Sequence, residues 1–262
     1  LLTVVIPSYN VEKFLNQTLD SFVCDEAVMK KFEVIVVDDG SKDNTAKIGK
    51  EYADKYPDTF RVISKENGGH GSTINCGIRN AVGKYFKVVD GDDWVNTADF
   101  VKLVEDLEKT ESEYVFTNYN EYYDDVNRQK AVDFPQFKDG TEYDFADVAN
   151  KVYIPMHALV IKTSVLKDNN IVIDEKCFYV DVEYVMFPVP FVNKVTFFDL
   201  HVYMYRLALS TQSVSILGFQ KHINDHLRVT FHMFDFYRDY ISSDKADSAK
   251  ADYMRTCIAD LI

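Results

Sequence analysis

The chain has 262 residues, of which 47 % are hydrophobic, so it can bury the core of one large α/β domain. Its formal net charge is -13 at pH 7, which argues against nucleic acid as a partner because nucleic-acid binding requires a basic surface stripe. The four cysteines are widely scattered and form no CxxC pair, so we expect no zinc site and a reducing, cytoplasmic compartment.

Strands and helices are predicted to alternate along the first part of the chain. Short apolar runs predict strands at residues 2–7, 32–38, 61–64, 85–90 and 114–118. Apolar residues at helical spacing lie between the strands, as at Phe14, Leu15 and Leu19. We expect Gly83 to end the helix that follows residues 67–71. This alternation predicts an α/β fold with a mostly parallel, Rossmann-like sheet flanked by helices.

Polar clusters follow the predicted strands, at the points where the strands end. They occupy residues 8–10, 38–41, 67–71 and 90–93. Ligands of parallel sheets bind beyond the carboxyl ends of the strands. The sequence therefore predicts one binding site to which these four loops contribute.

The pattern is less regular in the second half of the chain. We predict a hairpin from residues 119–124 and 130–134, strands at 156–161, 195–199 and 202–207, and a helix near 181–187. From Phe219 onward the pattern is helical. We therefore expect a domain at 1–215, which divides into the halves 1–118 and 119–215. A C-terminal helical extension at 216–262 follows, through which oligomers could form. Because the chain stops in a helical pattern, we expect a longer protein whose tail could hold a membrane anchor.

Residues 90–93, the acidic loop, place three carboxylates within four positions. Asp90, Asp92 and Asp93 would repel one another at a buried strand end, which would raise at least one pKa. A divalent cation would remove this conflict, and oxygen ligands favour Mg²⁺ or Mn²⁺. The alternative is a solvated turn in which Asp92 or Asp93 caps the next helix.

Two further loops give weaker signals. Asp38 and Asp39 could hydrogen-bond a base or a ribose, or they could form only a turn before a helix. Residues 67–71, the glycine loop, allow the backbone to approach a phosphate near a helix N-terminus. The third glycine of a dinucleotide-binding fingerprint is absent because Ile74 occupies its place. His70 and His157 are single histidines, which more often contact no ligand.

Four motifs occur in order, and together they carry a family resemblance. They are Pro7-Ser-Tyr-Asn, Val36-Val-Asp-Asp-Gly-Ser, Glu66-Asn-Gly-Gly and Val89-Asp-Gly-Asp-Asp. The set resembles the family-2 glycosyltransferases of the bacterial, non-processive type, which have the GT-A fold. The resemblance continues more loosely through residues 178–184 and 205–215.

The resemblance implies an activity and partners. The chain would be an inverting transferase that moves a sugar from a UDP-sugar to a glycan or lipid-linked acceptor. The process would be the synthesis of a bacterial cell-surface polysaccharide. The enzyme would be cytoplasmic, and peripheral association with the inner face of the plasma membrane is compatible with such acceptors.

The resemblance also implies that the half at 1–118 binds the nucleotide and the half at 119–215 binds the acceptor, and it implies a role for each matching residue. Donor-binding residues would be Pro7, Tyr9, Asp38, Asp39, Asn67, Gly68, Asp90, Asp92 and Arg206. Tyr9 would stack on the uracil and Asp39 would accept a hydrogen bond from the base. The cofactor, Mn²⁺ or Mg²⁺, would be held by Asp90, Asp92 and Asp93. Asp181 would be the general base, with Glu183 as a rival two residues further on.

One departure from the family pattern and several alternatives stay open at this point. Ile74 stands where the family often has an arginine, so a phosphate contact would have to come from Lys65 or Arg79. Asp181 could instead be a helix N-cap. The chain could also be a catalytically inactive nucleotide-sugar-binding domain, a metal-dependent nucleotidyltransferase or a metal-dependent phosphohydrolase.

Overall fold

The computed structural model describes residues 1–207 and 216–261. Its first elements are β1 (Leu2–Ser8), α1 (Leu15–Asp20), α2 (Glu26–Met29), β2 (Phe32–Asp38), α3 (Thr45–Lys55), β3 (Phe60–Ser64), α4 (His70–Asn80), β4 (Tyr85–Val88), β5 (Trp94–Val95) and α5 (Thr97–Asp106). The next are β6 (Tyr114–Tyr123), β7 (Arg128–Val132), β8 (Thr141–Asp144), α6 (Phe145–Ala149), β9 (Leu159–Lys162), α7 (Thr163–Asp168), α8 (Asp181–Met186), β10 (Lys194–Leu207), α9 (Ile216–Lys221), α10 (Ile223–Ile241) and α11 (Ser248–Leu261). Residues 212–215, which carry part of the resemblance, lie outside the described residues.

The strands of the described chain form one sheet. Its order is β3-β2-β1-β4-β9-β6-β10-β5, with β7 beside β6 and β8 beside β10. The strands β1 to β4 are parallel, as predicted, and so are β6 and β10. Strand β9 lies antiparallel between β4 and β6. Because β6 runs continuously across residue 118, the two expected halves share this sheet.

The strand register brings the predicted site loops to one edge of the sheet. Ser8 of β1 is opposite Asp38 of β2, which is opposite Ser64 of β3. The backbone N–H of Gly91 donates to the carbonyl of Pro7 at 3.0 Å. The loops that follow β1, β2, β3 and β4 therefore start side by side.

Helices cover both faces of the sheet because strand side chains alternate between the two faces. In β1, Val5 packs into one buried cluster, which includes residues of α4 and α8. Its neighbours Val4 and Ile6 pack into the other cluster, with residues of α1 and α5. Strands buried on both faces read as continuous apolar runs, which explains why the sequence indicated them clearly.

Two details of the predicted secondary structure were wrong, and one alternative is not supported. Residues 194–207 form one strand, with irregular register around His201, rather than two separate strands. Helix α4 ends at Asn80 and not at Gly83. Gly83 instead permits close packing, since a Cβ there would lie 2.5 Å from the backbone nitrogen of Thr3. Asn96, and neither Asp92 nor Asp93, caps α5.

The C-terminal helices pack as part of the domain. Helix α10 contributes Val229 and Met233, and α11 contributes Met254 and Ile258, to the buried cluster that contains α8. Two aromatic residues of α10, Phe231 and Phe234, are exposed and do not belong to this cluster. No helix among the described residues combines the length and apolar character needed to cross a membrane.

Candidate active site

A cleft of about 1020 Å³ opens at the edge of the sheet where β1 and β4 end. Residues after β1, the acidic loop, the segment at the start of α8 and the end of α11 line it. The predicted site residues that line this cleft are Pro7, Tyr9, Asp90, Asp92, Asp93 and Asp181. Residues that are far apart in the sequence are thus brought into one shared space.

Asp90 is held by a histidine of the glycine loop. The His70 Nε2 lies 2.7 Å from Asp90 Oδ1. Burial would raise the pKa of Asp90, but the attraction of His70 and their hydrogen bond outweigh it and leave this pKa below its usual value. Burial would likewise lower the pKa of His70, but Asp90, Asp181 and Asp92 raise it overall. These carboxylates therefore favour the protonated form of His70.

Asp92 is the member of the acidic loop whose carboxylate stays available to a ligand. Among the described residues, no side chain donates a hydrogen bond to it. Burial and the nearby charge of Asp90 raise its pKa to about 6. The nearby charges of Arg206 and His70 oppose this rise only in part.

Asp93 is turned into the protein, although it borders the cleft. Its Oδ2 accepts a hydrogen bond from the hydroxyl of Tyr203 at 2.6 Å, and its Oδ1 accepts one from the backbone N–H of Arg206 at 2.7 Å. The residue is 2 % exposed. Both oxygens of Asp93 fasten the acidic loop to β10 in this structure, and the role of Asp93 as a metal ligand stays a prediction.

Arg206 is also turned away from the cleft. Its guanidinium donates to the carbonyl of Asp92 at 2.8 Å and to Gln17 Oε1 at 2.7 Å, and it pairs with Asp124. It also lies over the ring of Trp94 at 4.6 Å. In this structure Arg206 supports the acidic loop from behind, and its contact with the diphosphate stays a prediction.

Asp181 lies at the start of α8 and faces the cleft. Burial raises its pKa, and the charge of His70 opposes part of this rise. The N-cap position of α8 is occupied by Val180, so the N-cap alternative for Asp181 is not supported. A carboxylate with a raised pKa that faces a cleft is suited to accept a proton from a bound group.

Glu183 lies on the opposite side of α8, because residues two apart on a helix point in different directions. It is fully buried, where it accepts a hydrogen bond from the backbone N–H of Asp174 and contacts His232 Nδ1 at 2.9 Å. Burial raises its pKa to about 7. The carboxylate of Glu183 does not line the cleft, so this structure favours Asp181 over Glu183 as the candidate base.

A smaller pocket of about 540 Å³ adjoins the cleft. Tyr9, which is 50 % exposed, lines both cavities and connects them. Asp38 and Asn67 line the small pocket, and Asp38 Oδ1 accepts a hydrogen bond from the backbone N–H of Ser41 at 3.0 Å. An exposed aromatic ring beside such polar groups could hold a nucleobase.

Asp39 is directed at the glycine loop instead of the cavities. Its Oδ1 accepts hydrogen bonds from Lys65 Nζ at 2.6 Å and from the backbone N–H of Gly68 at 2.9 Å. Its Oδ2 accepts one from the backbone N–H of Gly69 at 2.8 Å. In this structure Asp39 and the glycine loop therefore bond to each other, and the base contact of Asp39 and the phosphate contact of Gly68 stay predictions.

Sequence reasoning left several cleft residues without a role. His157 lies between the rings of Tyr205, at 4.0 Å, and Tyr119, at 5.7 Å, in near-parallel orientation. Arg79, which we considered for a phosphate contact, is at the other end of α4 from His70. His70 directly follows the glycine motif, and this position was the available signal for its place in the cleft.

Comparison with known proteins assigns the chain to a family. The model of the family described as glycosyl transferase family 2 matches residues 3–169. The chain belongs to glycosyl transferase family 2. The family resemblance expected from the four motifs is thereby confirmed.

Relatives among curated proteins match shorter segments. A protein of Bacillus subtilis (strain 168) named uncharacterized glycosyltransferase EpsJ is 38 % identical over 115 residues, which are 44 % of this chain and 33 % of that protein. The minor teichoic acid biosynthesis protein GgaB of the same organism is 33 % identical over 111 residues, which are 42 % of this chain and 12 % of that protein. These matches span about a third or less of those relatives.

Solved structures share the fold over nearly the whole chain. S. aureus TarS 1-349 in complex with UDP-GlcNAc has a TM-score of 0.74 at 20 % identity, covering 99 % of this chain and 71 % of that one. The mannosyltransferase PcManGT from Pyrobaculum calidifontis, in complex with GDP-Man and Mn2+, has a TM-score of 0.63 at 18 % identity, covering 99 % of this chain and 69 % of that one. Both likenesses confirm the GT-A fold.

Proposed function

We propose that this family-2 domain is an inverting glycosyltransferase that moves a sugar from a UDP-sugar onto a glycan or lipid-linked acceptor. The observation that carries the proposal is the shared cleft, in which Asp92 and Asp181 face the same space with Tyr9 at its border. The UDP-GlcNAc bound by the structural neighbour TarS supports UDP as the nucleotide. The role of the teichoic acid relative supports a cell-surface glycan as the product.

The residues of the acidic loop fit a divalent cation. Asp92 has a carboxylate without a side-chain donor among the described residues, and Asp90, whose Oδ1 contacts His70, also lines the cleft, so these two residues would hold Mn²⁺ or Mg²⁺. Burial and the neighbouring charge of Asp90 both disfavour the ionised Asp92, and a cation would relieve this cost. A bound cation would neutralise the charge on the departing diphosphate.

The residues of the cleft divide the remaining tasks. Tyr9, Asp38 and Asn67 of the small pocket would hold the uracil and ribose. Asp181 would accept the proton of the acceptor hydroxyl as this oxygen attacks the anomeric carbon opposite the leaving UDP. Binding of both substrates in one cleft would supply the orientation that this in-line attack requires.

The proposed function also includes a cellular location and a surface for assembly. Action at the cytoplasmic face of a membrane and peripheral association are proposed on the lipid-linked class of acceptor. The exposed Phe231 and Phe234 of α10 support assembly through the C-terminal helices.

Release of UDP tests the proposed function. Wild type with Mn²⁺ and a panel of UDP-sugars is expected to release UDP, and chelation of the metal is expected to stop it. Asp181→Asn is expected to lower transfer by about 10²–10⁴-fold, the usual contribution of a general base, while UDP still binds. Binding of UDP by wild type without any turnover would favour the inactive-domain alternative. Normal transfer by Asp181→Asn would move the base elsewhere.

A further inference from the structure

The segment just before α8 has an unusual backbone. Lys176 has a φ of 53° and Tyr179 a φ of 66°. A left-handed conformation is uncommon for bulky residues and costs about 1–3 kcal/mol at each position. The segment is anchored to the glycine loop, because the N–H of Lys176 donates to the carbonyl of Gly68. This conformation directs Phe178 and Tyr179 toward the mouth of the cleft.

The rings of Phe178 and Tyr179 are supported from one side and reach the cleft on the other. Phe178 is 43 % exposed, and its ring lies 3.8 Å from the ring of His222 on the α9–α10 side. The ring of Tyr179 meets that of His226 edge-on at 5.6 Å. Both residues line the cleft close in sequence to Asp181. An aromatic surface held in place in this way favours a flat apolar ligand face.

The end of the cleft that contains Phe178 and Tyr179 carries negative charge. Asp181 and Asp260 both line it. Among the described residues that line the cleft, Lys13 is the one lysine or arginine, and it belongs to the loop after β1 together with Tyr9. Residues 208–215, outside the described part, carry no charged side chain in the sequence. Phosphate groups are normally held by arginine and lysine, so a phosphate-rich acceptor would meet repulsion here.

We propose that Phe178 and Tyr179 form an acceptor subsite for the uncharged terminal sugar of a glycan, and that this subsite disfavours polyol-phosphate polymers. The inference rests on the proposed function and specifies its acceptor class. The less polar face of the sugar ring stacks on the aromatic rings, and this contact presents a hydroxyl toward Asp181. The shared chemistry is an uncharged terminal sugar, whether a lipid or a soluble glycan carries it.

Steady-state UDP release with different acceptors tests this subsite. The probes are octyl glycosides of common neutral hexoses and N-acetylhexosamines, the matching soluble oligosaccharides, and a polyol-phosphate polymer. An uncharged glycoside or oligosaccharide is expected to accelerate UDP release above the rate without acceptor, whereas the polymer is not. Comparison of the octyl glycosides with the oligosaccharides distinguishes a lipid-linked from a soluble acceptor.

Variants of Phe178 test the stacking. Phe178→Ala is expected to raise the KM for the acceptor about tenfold, as truncation of a well-packed aromatic contact does, while the KM for the UDP-sugar changes less than about twofold. Phe178→Tyr is expected to retain the acceptor KM. Phe191→Ala is the matched control, because Phe191 is similarly exposed at 38 % but does not line the cleft. Melting temperatures verify that each variant folds.

Three results would overturn the subsite. The first is acceleration by the polymer and not by the uncharged sugars, the second is no acceleration by any uncharged sugar, and the third is an acceptor KM that Phe178→Ala leaves unchanged. Absence of UDP release with every UDP-sugar is a different result, which would overturn the proposed function itself.

Discussion

At the scale of single residues, neighbouring carboxylates differ in what surrounds them. Asp92 keeps its carboxylate free of side-chain donors among the described residues, whereas the carboxylate of Asp93 is bonded to Tyr203 and to the backbone of β10. The sequence revealed the acidic loop but could not reveal this division. Which oxygen faces a ligand depends on contacts with residues more than a hundred positions away.

Substitution of each carboxylate by its amide separates the two roles. Asp92→Asn is expected to weaken UDP binding in the presence of Mn²⁺, with little change in the free energy of unfolding, because it removes a ligand and no internal contact. Asp93→Asn is expected to lower the free energy of unfolding by about 1–3 kcal/mol, because it disturbs buried hydrogen bonds. Calorimetric titration and urea denaturation measure the two effects, and the reverse pattern would contradict the assignment.

Lys87 gives a residue-level prediction about pH. It is fully buried in β4, where Nζ donates to the carbonyls of His157 at 2.8 Å and Leu159 at 3.3 Å. Burial lowers its pKa to about 7 from the usual 10.5. Between pH 7 and pH 10.5, the unfolded chain therefore binds a proton at Lys87 that the folded chain lacks. The stability of the fold consequently decreases as the pH falls from 10.5 toward 7.

The free energy of unfolding of the wild type is expected to rise by up to about 1 kcal/mol per pH unit from about pH 7 to about pH 9 because of this residue. Lys87→Met removes the titrating amine and is expected to flatten that rise. Urea denaturation at several pH values measures both proteins. Parallel pH dependences would show that Lys87 keeps its proton in the folded state.

At the scale of elements, the site depends on how α4 packs against the segment before α8. A Cβ on Gly71 would lie 2.0 Å from the backbone oxygen of Asp174, so helix α4 and the segment before α8 approach as closely as glycine permits. Asn75 of α4 strengthens this contact, since its side chain bonds both the N–H and the carbonyl of Ile173. The contact sets the position of the segment that leads to Asp181.

Gly71→Ala is expected to lower the free energy of unfolding by about 1–3 kcal/mol, because overpacking against a backbone atom outweighs the better helix propensity of alanine. Lys50→Ala on the exposed side of α3 is the control, with an expected change within about 0.5 kcal/mol. Thermal or urea denaturation compares the two variants. A Gly71→Ala protein as stable as the control would mean that the two segments are not in close contact.

The elements of the first half were predictable because each strand is a continuous apolar run that ends in a polar loop. The second half was less predictable for two reasons. Strand β10 is irregular around His201, which breaks the alternation that identifies a strand. The orientation of Asp39 toward the glycine loop and of Arg206 toward Gln17 depends on tertiary contacts that no local pattern encodes. Glu183, in contrast, could have been excluded by helical phase alone.

At the scale of the whole molecule, the cleft combines loops of the parallel sheet with the C-terminal helices. Asp92 follows β4, Asp181 begins α8, and Asp260 lies near the end of α11, and all three line one cavity. The C-terminal helices belong to the same buried cluster as α8. The parts of the cleft formed by α8 and by α11 therefore belong to one packed unit. Ligands that bind this unit are expected to stabilise the entire fold.

The melting temperature with a panel of nucleotides, each with and without Mn²⁺, tests the central claim most directly. UDP or a UDP-sugar with Mn²⁺ is expected to raise the melting temperature most. At about 100 times its dissociation constant a ligand adds about 2.7 kcal/mol, which is about 5–10 °C for a domain of this size. An equal response to every nucleotide, or a response to UDP that does not depend on the metal, would contradict a cleft built to bind UDP through a carboxylate-held cation.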